Sequence, residues 1–372
     1  MKKILFLTGT RADFGKLKSL IQKVEDCSSL EAHIFITGMH MIAKYGMTAN
    51  EVEKTGFKHF YKYINQNGHD SMDVVLSKTI LGLSDYVKEL EPDLLVVHGD
   101  RVEAMAGAIV GALNNILVAH IEGGEVSGTI DELIRHSVSK MSHLHFVSNE
   151  DARSRLLQLG EWESSIHVIG SPDLDIMKSP SLPTLESAKT RYQIPFDRYS
   201  VVMYHPVTTE VEQLKENVKE MVDALVESGR NYIVIYPNND HGSQIIIEEY
   251  KRFESNECFK IFPSIRFEYF LTLLKNADMM LGNSSAGVRE MPFYGKPSIN
   301  IGTRQNNRSN AKSIFNVKDD KDEILASITL ASKSEFEAES EFGMGNSDQL
   351  FLKALLNDAT WSVPKQKLFV DI

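Results

Sequence analysis

Short apolar runs alternate with longer amphipathic stretches along most of this chain. The runs open at Ile4, Leu30, Leu94, Leu117 and Leu144, and again at Ser200, Tyr232, Phe259, Met279 and Ser298. Each is only a few residues long and closes on glycine or a polar side chain, which predicts buried strands. Between them, apolar positions recur at helical spacing over Ser71 to Lys88, Glu103 to Leu113 and Glu210 to Glu227. A further helix is predicted from the turn at Thr8–Lys16 to about Val24. Strands alternating with helices give right-handed βαβ units on parallel sheets. Near 166–195 the alternation loosens, with Pro172, Pro180, Pro183, Pro195 and several serines marking a linker. A chain of 372 residues is too long for one core. The predicted fold is therefore α/β: two doubly wound, Rossmann-like domains, 1–170 and 171–372, facing a central cleft.

The residues that close the strands carry the candidate chemistry. In Thr8-Gly9-Thr10-Arg11-Ala12-Asp13-Phe14-Gly15-Lys16, a polar turn opens a helix, whose N–H groups suit an anion, and Arg11 and Lys16 add charge. The dinucleotide spacing of glycines is absent. The third run ends in His98-Gly99-Asp100-Arg101, and the next in Glu122-Gly123-Gly124-Glu125. Asp131, Arg135 and His136 follow at helical spacing, on roughly one side of a helix. Carboxylates crowded at strand ends repel one another, so some hold protons near neutral pH and can carry them. Each also suits an ordinary helix cap or a solvated face.

In the second half, Gly282-Asn283-Ser284-Ser285-Ala286-Gly287 is the phosphate candidate. Small residues at a strand-to-helix turn let backbone N–H groups and hydroxyls reach phosphate oxygens, although Asn and Ser also favour a plain N-cap. Arg266 and Arg304 follow neighbouring strands, and Glu290, one to two turns into the helix, suits ribose hydroxyls. His205, before Pro206, suits a diphosphate or the leaving group, and Pro237-Asn238-Asn239-Asp240 closes another strand.

Composition narrows the partners. A net charge of −11 argues against nucleic acid and anionic membranes. No apolar stretch is long enough to span a bilayer, and Met1 to Leu7 reads as the first strand rather than a signal peptide. Cys27 and Cys258 lie in no metal or redox spacing, which fits a reducing cytoplasm. The histidines His40, His98, His120 and His136 lack a compact ligand spacing, so no metal is assigned.

Taken together, Gly9-Thr10-Arg11-Ala12-Asp13, His98-Gly99-Asp100-Arg101, His120 to Glu125, Ser127 to Asp131, His205 to Thr209, Gly282 to Ser285 and Gly302-Thr303-Arg304-Gln305 resemble the hydrolysing UDP-N-acetylglucosamine 2-epimerases. The likeness is to the bacterial sialic-acid-pathway branch and to the epimerase half of the bifunctional animal enzyme. The resemblance implies a GT-B-like fold whose last helix returns to the first domain. It implies a UDP-sugar substrate, no cofactor and a homo-oligomer, a dimer or tetramer. It implies elimination of UDP to 2-acetamidoglucal, then hydration to N-acetylmannosamine, the first step of sialic acid synthesis. Asp100, Glu122 and Asp131 match its acid/base positions. Arg11, His205, Ser284, Ser285, Glu290 and Arg304 match its nucleotide-binding positions, with Arg101 and Asn238 added to that set. Rival readings are the same reaction on a 2,4-diacetamido-6-deoxy sugar nucleotide, a GT-B glycosyltransferase, and a non-catalytic UDP-sugar sensor. Paired proton carriers argue against the last two.

Overall fold

The first five apolar runs form strands of one parallel sheet, joined by two short strands that the hydrophobic pattern did not reveal. A computed structural model describes residues 1–127, 130–238 and 240–371. The sheet contains β1 (Lys2–Thr8), β2 (Leu30–Ile36), β3 (His59–Lys62), β4 (Leu94–His98), β5 (Leu117–Ile121), β6 (Leu144–Val147) and β7 (Ile166–Val168). Their order is β3-β2-β1-β4-β5-β6-β7, and every pair is parallel. Strand order reverses between β1 and β4, where Ile4 pairs with Leu94 and Phe6 with Val96. That switch point is where a doubly wound sheet opens a binding crevice, at the carboxyl ends of its strands. Thr8–Arg11 and His98–Arg101 both lie there.

β1, β2, β4, β5 and β6 are almost wholly buried because helices cover both faces. Ile4, Phe6, Val96 and Ala119 pack against Leu17, Leu20 and Val24 of the helix Arg11–Glu25. β3 is different. Its four residues, His-Phe-Tyr-Lys, are exposed at the sheet edge, so no apolar run announces it. The loosened stretch also holds more structure than a linker. It contains β7 and the helix Pro172–Met177, which begins with proline in its first turn, where the missing N–H costs nothing.

The second set of runs forms β8 (Ser200–Met203), β9 (Tyr232–Ile235), β10 (Phe259–Phe262), β11 (Met280–Gly282) and β12 (Ser298–Ile301), and β13 (Ile314–Val317), which the pattern did not reveal, joins them. This parallel sheet has the order β10-β9-β8-β11-β12-β13. Its switch point lies between β8 and β11. Val202, Val234, Leu281 and Ile299 pack on Val218, Met221, Val222 and Leu225 of the helix Leu214–Glu227.

The chain divides into two compact units. One comprises 1–125, 131–179 and 342–372, the other 126–130 and 180–341. The first therefore recovers the last stretch of chain. Phe351, in the helix Ser347–Leu355, is fully buried against Phe6 and Phe146, with ring centroids at 6.3 and 4.8 Å. Among the described residues no helix is long and apolar enough to cross a membrane.

Candidate active site

In the first unit, Glu122 follows the last residue of β5 with φ at +62°, a left-handed backbone that a side chain rarely adopts. Such a residue costs about 1 kcal/mol or more, and strain of this kind collects at functional turns. The two glycines after it meet separate demands. A Cβ on Gly123 would lie 2.7 Å from the Ser139 hydroxyl and 2.8 Å from His120 Nδ1. Gly124 has φ +75° and no room, with the Ala152 carbonyl 2.3 Å from an added Cβ.

The turn carries the Glu122 carboxylate into a buried polar cluster. Its Oε2 lies 2.9 Å from His98 Nε2 and 3.3 Å from Lys16 Nζ, and its Oε1 accepts from the Ser171 hydroxyl. Lys16 Nζ also lies 3.1 Å from Asp173, a carboxylate only 1% exposed. Taking charged groups out of water is costly unless they are paired, which is why the ammonium sits between two carboxylates. The His98–Glu122 contact places an imidazole nitrogen within hydrogen-bond distance of a carboxylate oxygen, a geometry that suits proton transfer.

Asp100 occupies the adjacent turn and accepts from Arg135 Nη2, while Arg135 Nη1 donates to the Glu125 carbonyl at 3.2 Å. Arg135 is 2% exposed. It belongs to the helix Ile130–Met141, which has Asp131 in its first turn. Asp131, Arg135 and Ser139 are spaced four apart and so share one face of that helix. Glu125 is buried and accepts from Ser148 at 2.8 Å.

In the second unit, Asn283 spans the switch point. Its side-chain carbonyl accepts from the His205 N–H at 2.6 Å, and its amide donates to the His205 carbonyl at 2.8 Å. The Asn238 N–H donates to His205 Nδ1 at 2.9 Å. When neutral, the ring therefore carries its proton on Nε2, as a donor. The Asn283 carbonyl accepts from Gln305 at 2.9 Å and from Arg304 Nη1 at 3.4 Å. So His205, Asn238, Asn283 and Arg304 converge. Ser284 caps the short helix Ser285–Val288, where Gly287 lies against Ser298.

Several side chains go elsewhere than the sequence suggested. The N–H groups of Gly9 and Thr10 are taken by Asp13, at 2.9 Å each, so the chain's own carboxylate fills the turn that an anion would fill. Lys16 points into the carboxylate cluster. Arg11 reaches Glu51 at 2.5 Å, and Arg101 Nε lies 3.5 Å from Glu103. Arg266 precedes the helix Phe267–Lys275 and pairs with Glu268 at 3.0 Å. Glu290 does not sit within the first helix after Asn283. That helix stops at Val288 and a second, Glu290–Phe293, begins at Glu290, because a helix cannot run unbroken through Pro292. Ser171 and Asp173 were hidden in the supposed linker; the Ser-Pro pair that starts their helix was the available signal. Gly128, Thr129 and Asn239 lie outside the described residues. Among the described residues no three His, Cys, Asp or Glu side chains are grouped as a metal ion would require.

The molecule is thus a two-unit, doubly wound α/β protein with polar residues gathered at both switch points. Residues 22–356 match the family model described as UDP-N-acetylglucosamine 2-epimerase. A UDP-N-acetylglucosamine 2-epimerase of Neisseria meningitidis serogroup B is 50% identical, covering 100% of both chains. A Legionella pneumophila UDP-N,N'-diacetylbacillosamine 2-epimerase (hydrolyzing) is 32% identical, over 94% of each. The crystal structure of a Neisseria meningitidis UDP-GlcNAc 2-epimerase bound to UDP-GlcNAc superposes with a TM-score of 0.82, over 95% of this chain and 99% of that one. At 20% identity, that likeness speaks to the fold. The chain belongs to the UDP-N-acetylglucosamine 2-epimerase family.

Proposed function

We propose that this protein converts UDP-N-acetylglucosamine and water to N-acetylmannosamine and UDP. The observation that carries the reading is the Glu122 turn, which holds a buried carboxylate against His98 and Lys16 beside the Arg135-bound Asp100. The sugar C2–H is weakly acidic, so its proton must pass to a base as the C1–O bond to UDP breaks. That step leaves 2-acetamidoglucal and UDP. Water then adds across the double bond, oxygen to C1 and a proton to C2 on the opposite face. Removal on one face and return on the other need more than one proton carrier. Asp100, Glu122 and Asp131 are assigned to that work.

The leaving diphosphate gains negative charge, and fixed donors stabilise it most where that charge develops. His205 Nε2–H, Arg304 and the hydroxyls of Ser284 and Ser285 are assigned to the nucleotide, with Glu290 for the ribose. Hydrolytic release of UDP, rather than its retention on the sugar, is supported by the Legionella relative's description as hydrolyzing. The same relative supports a 2,4-diacetamido sugar as the second reading, at lower identity than the Neisseria protein. The role in sialic acid synthesis is supported by a 33% identical Escherichia coli relative, "Polysialic acid biosynthesis protein P7". A cytoplasmic homo-oligomer fits the family resemblance. The test is to incubate purified protein with each UDP-sugar and identify the products by NMR. Free N-acetylmannosamine with UDP supports the reading, and UDP-N-acetylmannosamine contradicts its hydrolytic part.

A further inference from the structure

His120 lies in β5, in the interior of the seven-stranded sheet, and none of it is exposed. An imidazole there must satisfy both nitrogens within the protein. Nε2 is 2.8 Å from the Gly99 carbonyl, and Nδ1 is 3.0 Å from the Ser139 hydroxyl. A carbonyl only accepts, so Nε2 carries the proton and Nδ1 accepts from Ser139. Burial pushes this histidine down to about 3, so it stays neutral near pH 7 and takes up no second proton. Its effect is therefore geometric.

Gly99 is held by β5 at both of its backbone polar groups. Its N–H donates to the Ile121 carbonyl at 3.0 Å, and its carbonyl accepts from His120. Gly99 has φ +70°, and that carbonyl belongs to the peptide bond entering Asp100. The helix Ile130–Met141 grips the same residue twice. Arg135 takes its carboxylate, and Ser139, one turn further along the same face, reaches its backbone through His120. The site is tight, since a Cβ on Gly123 would lie 2.8 Å from Nδ1 and 2.7 Å from the Ser139 hydroxyl.

We propose that His120 is a positioning residue: it fixes the peptide of Asp100 through the Gly99 carbonyl and couples that turn to the helix bearing Asp131 and Arg135. The inference rests on Asp100 acting in the proposed reaction. Two substitutions separate donor geometry from bulk. The Gln side-chain amide reaches about where Nε2 lies, so His120→Gln keeps a donor for Gly99. Asn ends near Nδ1, so His120→Asn does not. With UDP-N-acetylglucosamine, kcat of H120N should fall roughly 10²-fold with KM within about twofold, the scale of an ångström-sized misplacement. H120Q should recover most of kcat. Hydrogen–deuterium exchange in the peptide spanning 98–104 should be about tenfold faster in H120N and near wild type in H120Q. Equal kcat in the two variants, or equal exchange, would overturn the proposal. If H120N does not fold, Ser139→Ala takes its place. A fall in kcat at unchanged KM then supports the coupling, and unchanged kcat overturns it. A wild-type protein that turns over no UDP-N-acetylglucosamine would refute the proposed function, and the exchange contrast alone would then decide the role of His120.

Discussion

Arg135 and Asp100 form a guanidinium–carboxylate pair that ties the helix Ile130–Met141 to the turn after β4. Arg135 is nearly buried, whereas the Asp100 side chain keeps 26% of its exposure. The arginine therefore fixes the geometry, and the carboxylate remains reachable. The second nitrogen of the fork holds the Glu125 carbonyl, so both forked contacts serve the same region. Lysine keeps the charge but offers a single compact ammonium, which cannot make both contacts in plane. Arg135→Lys should lower kcat by about tenfold or more. Arg135→Gln should also destabilise the fold by about 1–3 kcal/mol, the cost of buried partners left unmatched. Steady-state kinetics with urea denaturation checks both. Wild-type kcat in both variants would detach Asp100 from this pair.

Glu122→Gln and Asp131→Asn keep size and hydrogen-bonding capacity but cannot carry a proton. Turnover should fall by ~10²-fold or more, the usual scale for a lost general acid or base. UDP affinity, measured by calorimetry, should stay near wild type. The losses need not add, since groups in one sequence of proton transfers act as a unit. A variant blocked only in hydration should release the glycal, visible as a vinyl proton signal. Normal turnover in both well-folded variants would leave Asp100 as the only carboxylate assigned to the reaction.

Arg304 and Ser285 test the nucleotide assignment. Charge-assisted bonds to phosphate are the strong kind, so Arg304→Ala should weaken UDP binding more than Ser285→Ala, by about 1.5–3 kcal/mol. Arg304 also reaches the Asn283 carbonyl, so a local shift at Asn283 should accompany its loss. Unchanged UDP affinity in both variants would remove the second unit from nucleotide binding.

Acid should destabilise this protein well before its ordinary carboxylates titrate. Burial lowers His40 to about 4 and His120 to about 3, against 6.5 for a free histidine. The unfolded chain therefore takes up these protons first. Their contribution is complete above pH 6.5 and is lost as pH falls from there, toward about 4 for His40 and about 3 for His120. Each group contributes a slope of about 1.4 kcal/mol per pH unit in that window. Glu161 adds to the trend at lower pH. Burial raises it, but hydrogen bonding from His145 and the Lys367 ammonium, 2.5 Å away, outweigh burial and hold it at about 2. Its contribution is present above about 4.5 and is lost as pH falls through 2. Urea midpoints should therefore drop steadily from pH 7 to pH 4. A His120 that titrates near 6.5 by NMR would contradict the burial argument.

Much of this was legible in the chain itself. Leu94 to His98 and Leu144 to Val147 read as strands because both faces are buried, so the runs are continuous and end sharply. The spacing of Asp131 and Arg135 placed both on one face of a helix. Most of what stayed hidden depends on contacts distant in sequence. Lys16 reads as a cation awaiting an anion, and only the fold brings Glu122 and Asp173 to it. The turn at Gly9 reads as an anion site, and Asp13 fills it locally through a capping box. Nothing in the spacing of Phe351 says that it packs against Phe6 at the far end of the chain.

The most direct test of the central claim is the reaction of UDP-N-acetylglucosamine in D₂O, followed by NMR and mass spectrometry. Proton removal from C2, elimination of UDP and reprotonation from solvent predict free N-acetylmannosamine carrying deuterium at C2, together with UDP. N-acetylmannosamine that keeps its original C2 hydrogen would contradict the glycal route and the proton-carrying roles assigned to Asp100, Glu122 and Asp131.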